Sequence, residues 1–150
     1  MSEGTKRQTA GKDAPFPLRE QMDFKEIKFT TIFQSSQGLH QTKNGVIHSD
    51  GDLKVTLPFL PPDVKIDFSK EEVIFVALGE RPTGGYKVEI TAVTYLWDRL
   101  NKLPNLTDVT YHEDKPSNPI RNDIVTFPTH VVKCEKLDGD ASFTKDGGIQ

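Results

Sequence analysis

The sequence predicts an all-β domain, an Ig-like β-sandwich or an open barrel, with little helix and with disordered N- and C-terminal tails. Three observations carry this. No long segment of the 150 residues repeats its apolar positions at helical spacing. Short runs rich in β-branched and aromatic residues recur, separated by Gly, Pro, Asn and Asp. Pro58, Pro61 and Pro62 forbid a long helix where one would otherwise be tried.

The elements follow in order. Residues 1–20 are polar, carry Gly4, Gly11, Pro15 and Pro17, and read as a flexible arm. Residues 21–137 form the single β domain, and the polar 138–150 reads as a disordered tail. "DFKEIKFTTIFQS" has strand content with imperfect alternation. Asn44-Gly45 and Asp50-Gly51 are turn signals, with a short strand at 46–48 between them. "LKVTLPFLPP" suits a brief strand or one turn of helix. Val64, Ile66 and Phe68 alternate as in a strand.

Residues 73–78 form a continuous apolar run bounded by charge and glycine, the pattern of a central strand buried on both faces. In "YKVEITAVTYLW", Tyr86, Val88 and Ile90 have one parity and Val93, Tyr95 and Trp97 the other. The phase slips by one near Ala92, as at a β-bulge. Leu106, Val109 and Tyr111 mark another strand. In the last strand, 124–133, Pro128 lacks an N–H and predicts an edge strand or a bulge.

Composition narrows the function classes. There are 19 basic and 22 acidic residues, a net charge of −3, so neither nucleic acid nor an anionic membrane is favoured as a partner. No stretch approaches the roughly 20 apolar residues of a membrane span. The start has no apolar run, so the sequence as it stands predicts a cytoplasmic protein; an exported one remains if a signal segment has been removed. A lone cysteine, Cys134, excludes an intramolecular disulfide.

Catalytic patterns are not found. His40, His48, His112 and His130 form no HxxH or HExxH pattern, and Cys134 has no CxxC partner, so no metal site is expected. His112, Glu113 and Asp114 are neighbours along a strand and point to alternate faces. "SDGD" and "LDGD" lack the remaining ligands of a calcium loop. His130 and Cys134 share a strand face but lie roughly 13 Å apart at strand rise, too far for a thiolate–imidazole pair. The expectation is no enzyme and no cofactor.

The motif that stands out is "LGERPTGGYKVEI", residues 78–90. A phosphate-binding loop needs a helix behind its glycines, and here a strand follows. The simplest reading is a tight loop between two antiparallel strands, with Pro82 fixing φ and Gly84 or Gly85 taking positive φ. That accounts for the glycines and not for Arg81, Thr83 and Tyr86. If the four later strands form a meander, loops 79–85 and 114–122 meet at one end. Glu80, Arg81, Pro82, Thr83, Gly84, Gly85 and Tyr86 then adjoin Lys115, Pro116, Asn118, Pro119 and Arg121 as a protein-binding surface.

From Pro62 to about Lys136 the chain resembles the PrcB C-terminal domain family, a protease-complex subunit. "DFSKEEVIFVALG", the "RPTGGY" turn before "VEI" and the late "FPTHVVK" carry the resemblance. It implies an all-β module, without catalytic residues, that associates with and stabilises a partner such as a protease. "RPTGGY" is also similar to the "NPTTGY" loop of chagasin-type protease inhibitors at Pro82, Thr83, Gly85 and Tyr86, departing at Arg81 and Gly84. That similarity implies a loop inserted into an active cleft. A purely structural domain, with the turn as trim, is the remaining alternative.

Overall fold

In a computed structural model, residues 22–117 and 124–146 are described. The expected arm at 1–20 and the positions of Asn118, Pro119 and Arg121 lie outside them. Two four-stranded sheets pack face to face. Among the described residues the strands are β1 (Met22–Glu26), β2 (Phe29–Ser35), β3 (Thr42–Ile47), β4 (Glu71–Leu78), β5 (Lys87–Asp98), β6 (Leu106–Asp114), β7 (Thr129–Glu135) and β8 (Asp140–Asp146), with one helix, α1 (Asp50–Thr56). One sheet has the order β1-β5-β6-β8 and the other β2-β7-β4-β3. This is the predicted sandwich.

The apolar run becomes β4, and its double burial has a visible cause. Ile74, Val76 and Leu78 face the other sheet and pack with Val88, Ile90, Val93, Val109 and Val132. Val73 and Phe75 face outward, where Leu53 of α1, Leu57, Phe59, Ile66 and Phe68 cover them. The second sheet is thus packed on both sides, which is why no polar residue alternates through β4. Val64, Ile66 and Phe68 alternate as read but lie outside any strand, and Ile66 and Phe68 join the irregular cover. Ser49 caps α1 by accepting from the Asp52 N–H at 3.1 Å, and Asp50 pairs with Lys54 one turn on at 2.9 Å.

Several expectations are corrected. The four later strands are not a meander: β4 pairs with β3 and β7, so the chain must cross to the other sheet to form β5. Asn44-Gly45 lies within β3 and does not turn the chain. A Cβ on Gly45 would sit 3.3 Å from the Phe75 ring, so the glycine clears room for that ring. Residues 140–146, expected as disordered tail, form β8, parallel to β6. Pro128 marks no edge, since β7 lies between β2 and β4; it stops just before the strand, where only its carbonyl is used, accepting from the Leu78 N–H at 3.0 Å.

The slip at Ala92 is a bulge between Ile90 and Ala92, and a second register shift falls between Thr31 and Phe33 in β2. His130 joins the two. Its Nδ1 accepts the Ile90 N–H at 2.8 Å, and its Nε2 lies 2.8 Å from Thr31 Oγ1. An accepting Nδ1 places the proton on Nε2, which donates to Thr31. Burial lowers the His130 pKa below its ordinary 6.5; Glu89 opposes that shift and Lys87 adds to it.

His130→Ala removes the acceptor for a buried N–H and leaves a void, so it should cost about 3 kcal/mol. In the wild type, a lowered histidine pKa makes stability full above 6.5 and declining as pH falls below it. Urea titrations between neutral and mildly acidic pH should show this decline in the wild type and its reduction in His130→Ala.

Candidate functional site

The chain crosses from β4 to β5 through residues 79–86, and this loop is held from several sides. Gly79, at φ +80°, turns it out of the sheet, and Gly85, at φ +93°, turns it into β5. Both conformations suit glycine because a Cβ meets its own carbonyl there. The sequence left Gly84 and Gly85 equivalent; the structure assigns the positive φ to Gly85. A Cβ on Gly85 would also approach the Pro116 ring at 2.9 Å, so the loops after β4 and β6 touch at the same end of the sandwich.

Backbone pairing fixes the middle of the loop. Arg81 N–H donates to Thr126 O at 2.8 Å, and Thr126 N–H returns a bond to Arg81 O at 2.9 Å. The Thr126 hydroxyl donates to Thr83 O at 3.0 Å, and Thr83 is buried. Residues 36–41 brace the other side of the same strip: Phe127 N–H donates to Ser36 O at 2.6 Å, and His40 stacks on Phe127 with centroids 3.8 Å apart.

The Arg81 side chain turns inward. Its Nε donates to Glu113 Oε2 at 2.8 Å, and its Nη1 donates to the carbonyls of Leu78 and Glu80 at 3.1 and 3.0 Å. Lys145 of β8 reaches the other Glu113 oxygen at 2.8 Å. The Glu113 side chain is 2% exposed. Burial pushes its pKa up, but the hydrogen bonds and charges of Arg81 and Lys145 outweigh that and bring it to about 2 from an ordinary 4.5. Arg81, Glu113 and Lys145 thus tie the loop to β6 and β8.

What remains outward is Glu80, Pro82 and Gly85, the half-buried Gly84, Tyr86 and Pro116, and Lys115. The Tyr86 ring centroid lies 6.0 Å from the Arg81 guanidinium. A groove of about 410 Å³ runs beside the loop, lined by Gln34, Ser35, Ser36 and residues 85–88. Gln34 closes one side by donating to Val88 O at 2.9 Å. Ile124 and Val125, next to Thr126, are 54% and 40% exposed. Sequence reasoning missed Gln34–Ser36 and this apolar pair. Their only signal was the apolar start of "IVTFP", which strand propensity absorbed.

Other reactive groups are committed elsewhere. Cys134 is a free, buried thiol whose pKa burial raises to about 12, with the acidic Glu72, Glu135 and Glu71 adding to the shift. Both ring nitrogens of His130 are spent on Ile90 and Thr31. His112 lies between Asp146 and Asp114, at 2.8 and 2.9 Å, on the β6–β8 surface. Among the described residues no group of His, Cys, Asp or Glu is arranged to hold a metal ion, and no helix is long and apolar enough to cross a membrane.

Fold and site together define a two-sheet β domain that presents a braced loop at one end. Residues 73–135 match the family model for the PrcB C-terminal domain, from β4 to the last residue of β7. The matched span contains both the RPTGGY loop and the strip that braces it. No curated protein and no solved structure matches the chain.

Gly85→Ala should cost about 1 kcal/mol or more by thermal melting, from φ strain and the Pro116 contact. The Glu113 carboxylate makes a second expectation. A depressed pKa contributes stability that is full above 4.5 and lost as pH falls toward about 2. Glu113→Gln should flatten that part of the acid denaturation profile while lowering stability at neutral pH.

Proposed function

We propose that this domain is a non-enzymatic binding module that associates with, and stabilises, a protein partner belonging to a protease complex. The single observation that carries the reading is the braced loop: residues 79–86 lie within the PrcB C-terminal match and are locked by Thr126, Glu113 and Pro116. A loop already ordered before contact loses little entropy on binding. Its contact surface is Pro82, Gly84, Gly85 and Tyr86, with Glu80, Lys115, Pro116, Ile124 and Val125 around them. Arg81 and Thr83 hold that surface in place.

The inward Arg81 changes which variants inform. Arg81→Glu would set a carboxylate against buried Glu113 and destabilise the domain, so it does not probe a partner. Pro82→Glu and Tyr86→Ala alter outward groups. Each should reduce co-purification of a protease-complex partner from the native host at least several-fold, with the melting temperature within a degree or two of wild type. Undiminished recovery with both variants would remove the loop from the interface.

A second reading, a chagasin-type inhibitor that inserts the loop into an active cleft, draws on the same pre-ordered Pro82–Thr83–Gly84–Gly85–Tyr86 backbone. It requires dose-dependent loss of papain-like protease activity, relieved by Tyr86→Ala. No effect on such proteases would leave the association reading standing alone.

A further inference from the structure

At the end of the sandwich opposite the 79–86 loop, a cleft lies beside the edge strands β3 and β8. It has a volume of about 350 Å³ and its walls include Asn44, His48, Thr107, Asp140 and Phe143, with Glu72 among the lining groups. Glu72 is 2% exposed and lies on the inter-sheet face of β4, across from Cys134 on β7. One carboxylate oxygen, Oε1, accepts the Leu137 N–H at 3.3 Å and lies 3.4 Å from Nδ1 of the exposed His48. Among the described residues, no hydrogen-bond donor meets Oε2. Burial raises the pKa of this carboxyl, and the Leu137 N–H, His48 and Lys136 only partly oppose the shift.

A buried carboxylate with an oxygen lacking a donor is costly, because an ionised group taken from water needs several hydrogen bonds in return. The contrast with Glu113 is direct. Glu113 is equally buried, yet it has a guanidinium and an ammonium on it. Glu72 has neither, and it lines a cleft of ligand-pocket size, at the small end of the usual range of about 300–1,000 Å³.

We infer that the β3–β8 cleft binds a small organic cation, an ammonium or guanidinium on an aliphatic stem, with its charged head on Glu72. A cationic head supplies the donors that Oε2 lacks, and Val46, Leu137 and Phe143 offer apolar wall to the stem. A metal ion is disfavoured because no suitable ligand group surrounds Glu72 among the described residues. An anion would meet both Glu72 and Asp140. His48, at the mouth, is the group the cation displaces.

The test is an NMR titration of the full chain with n-butylguanidinium and n-butylammonium chloride, against n-butanol and tetramethylammonium chloride as controls. Saturable shifts at the amides of residues 48, 72, 107 and 137 are expected with the two cations and not with the controls. Glu72→Gln, which keeps the shape and removes the charge, should weaken binding on the order of ten-fold or more. His48→Lys, a change at an exposed position, should place an ammonium on Glu72 and abolish binding of the free cation while the protein stays folded. The proposal falls if the wild type gives no saturable shifts, if n-butanol shifts the same amides, or if either variant binds as the wild type does.

Discussion

The burial of β4 on both faces is the constraint on which the rest depends. A strand whose alternate residues must all leave water needs an apolar layer on each side. The other sheet supplies one layer, through Val88, Ile90, Val93 and Val109. Among the described residues no further sheet covers the outer side, and the chain between β3 and β4 supplies the layer with α1 and the proline-bearing segment after it. Pro58, Pro61 and Pro62 therefore serve packing: they keep that segment from extending α1, and it lies across Val73 and Phe75 as an irregular cover.

A second consequence concerns edges. With β3 and β7 on its two sides, β4 cannot pair with the strand that follows it, so residues 79–86 must carry the chain to the other sheet. A two-residue hairpin turn cannot span that path, and a longer crossing exposes backbone groups that need partners. Thr126 supplies two of them through its own backbone, and the Arg81 guanidinium takes the carbonyls of Leu78 and Glu80. The loop's order thus follows from the topology, and so does the inward direction of Arg81.

Legibility in the sequence tracks the range of the interaction involved. The β4 run and the bulge at Ala92 were readable because each is written in consecutive residues, as a missing or slipped alternation. Asn44-Gly45 misled because the glycine answers to Phe75, a residue 30 positions away. β8 was missed because "DASFTKD" has little apolar content of its own; it is held by Phe143 against the core, by pairing to β6 and by Lys145 on Glu113. The meeting of the loops after β4 and β6 was anticipated, although the meander used to reach it was not the actual path. Whether Arg81 faced a partner or the protein could not be read, since its partner Glu113 is separated by 32 residues.

The two buried glutamates show how one fold treats like groups at its two ends. At the end where the loop must be held, Glu113 is saturated by Arg81 and Lys145, its pKa falls to about 2, and it ties residues from the crossing, from β6 and from β8. At the other end Glu72 has one backbone donor and an exposed histidine, and its pKa is raised. The difference lies in the neighbours, because burial acts on both in the same sense. A saturated carboxylate has no capacity left for a ligand, so the Glu113 cluster serves as a brace. An undersupplied one retains unmet acceptor capacity, and that capacity lines the cleft beside β3 and β8.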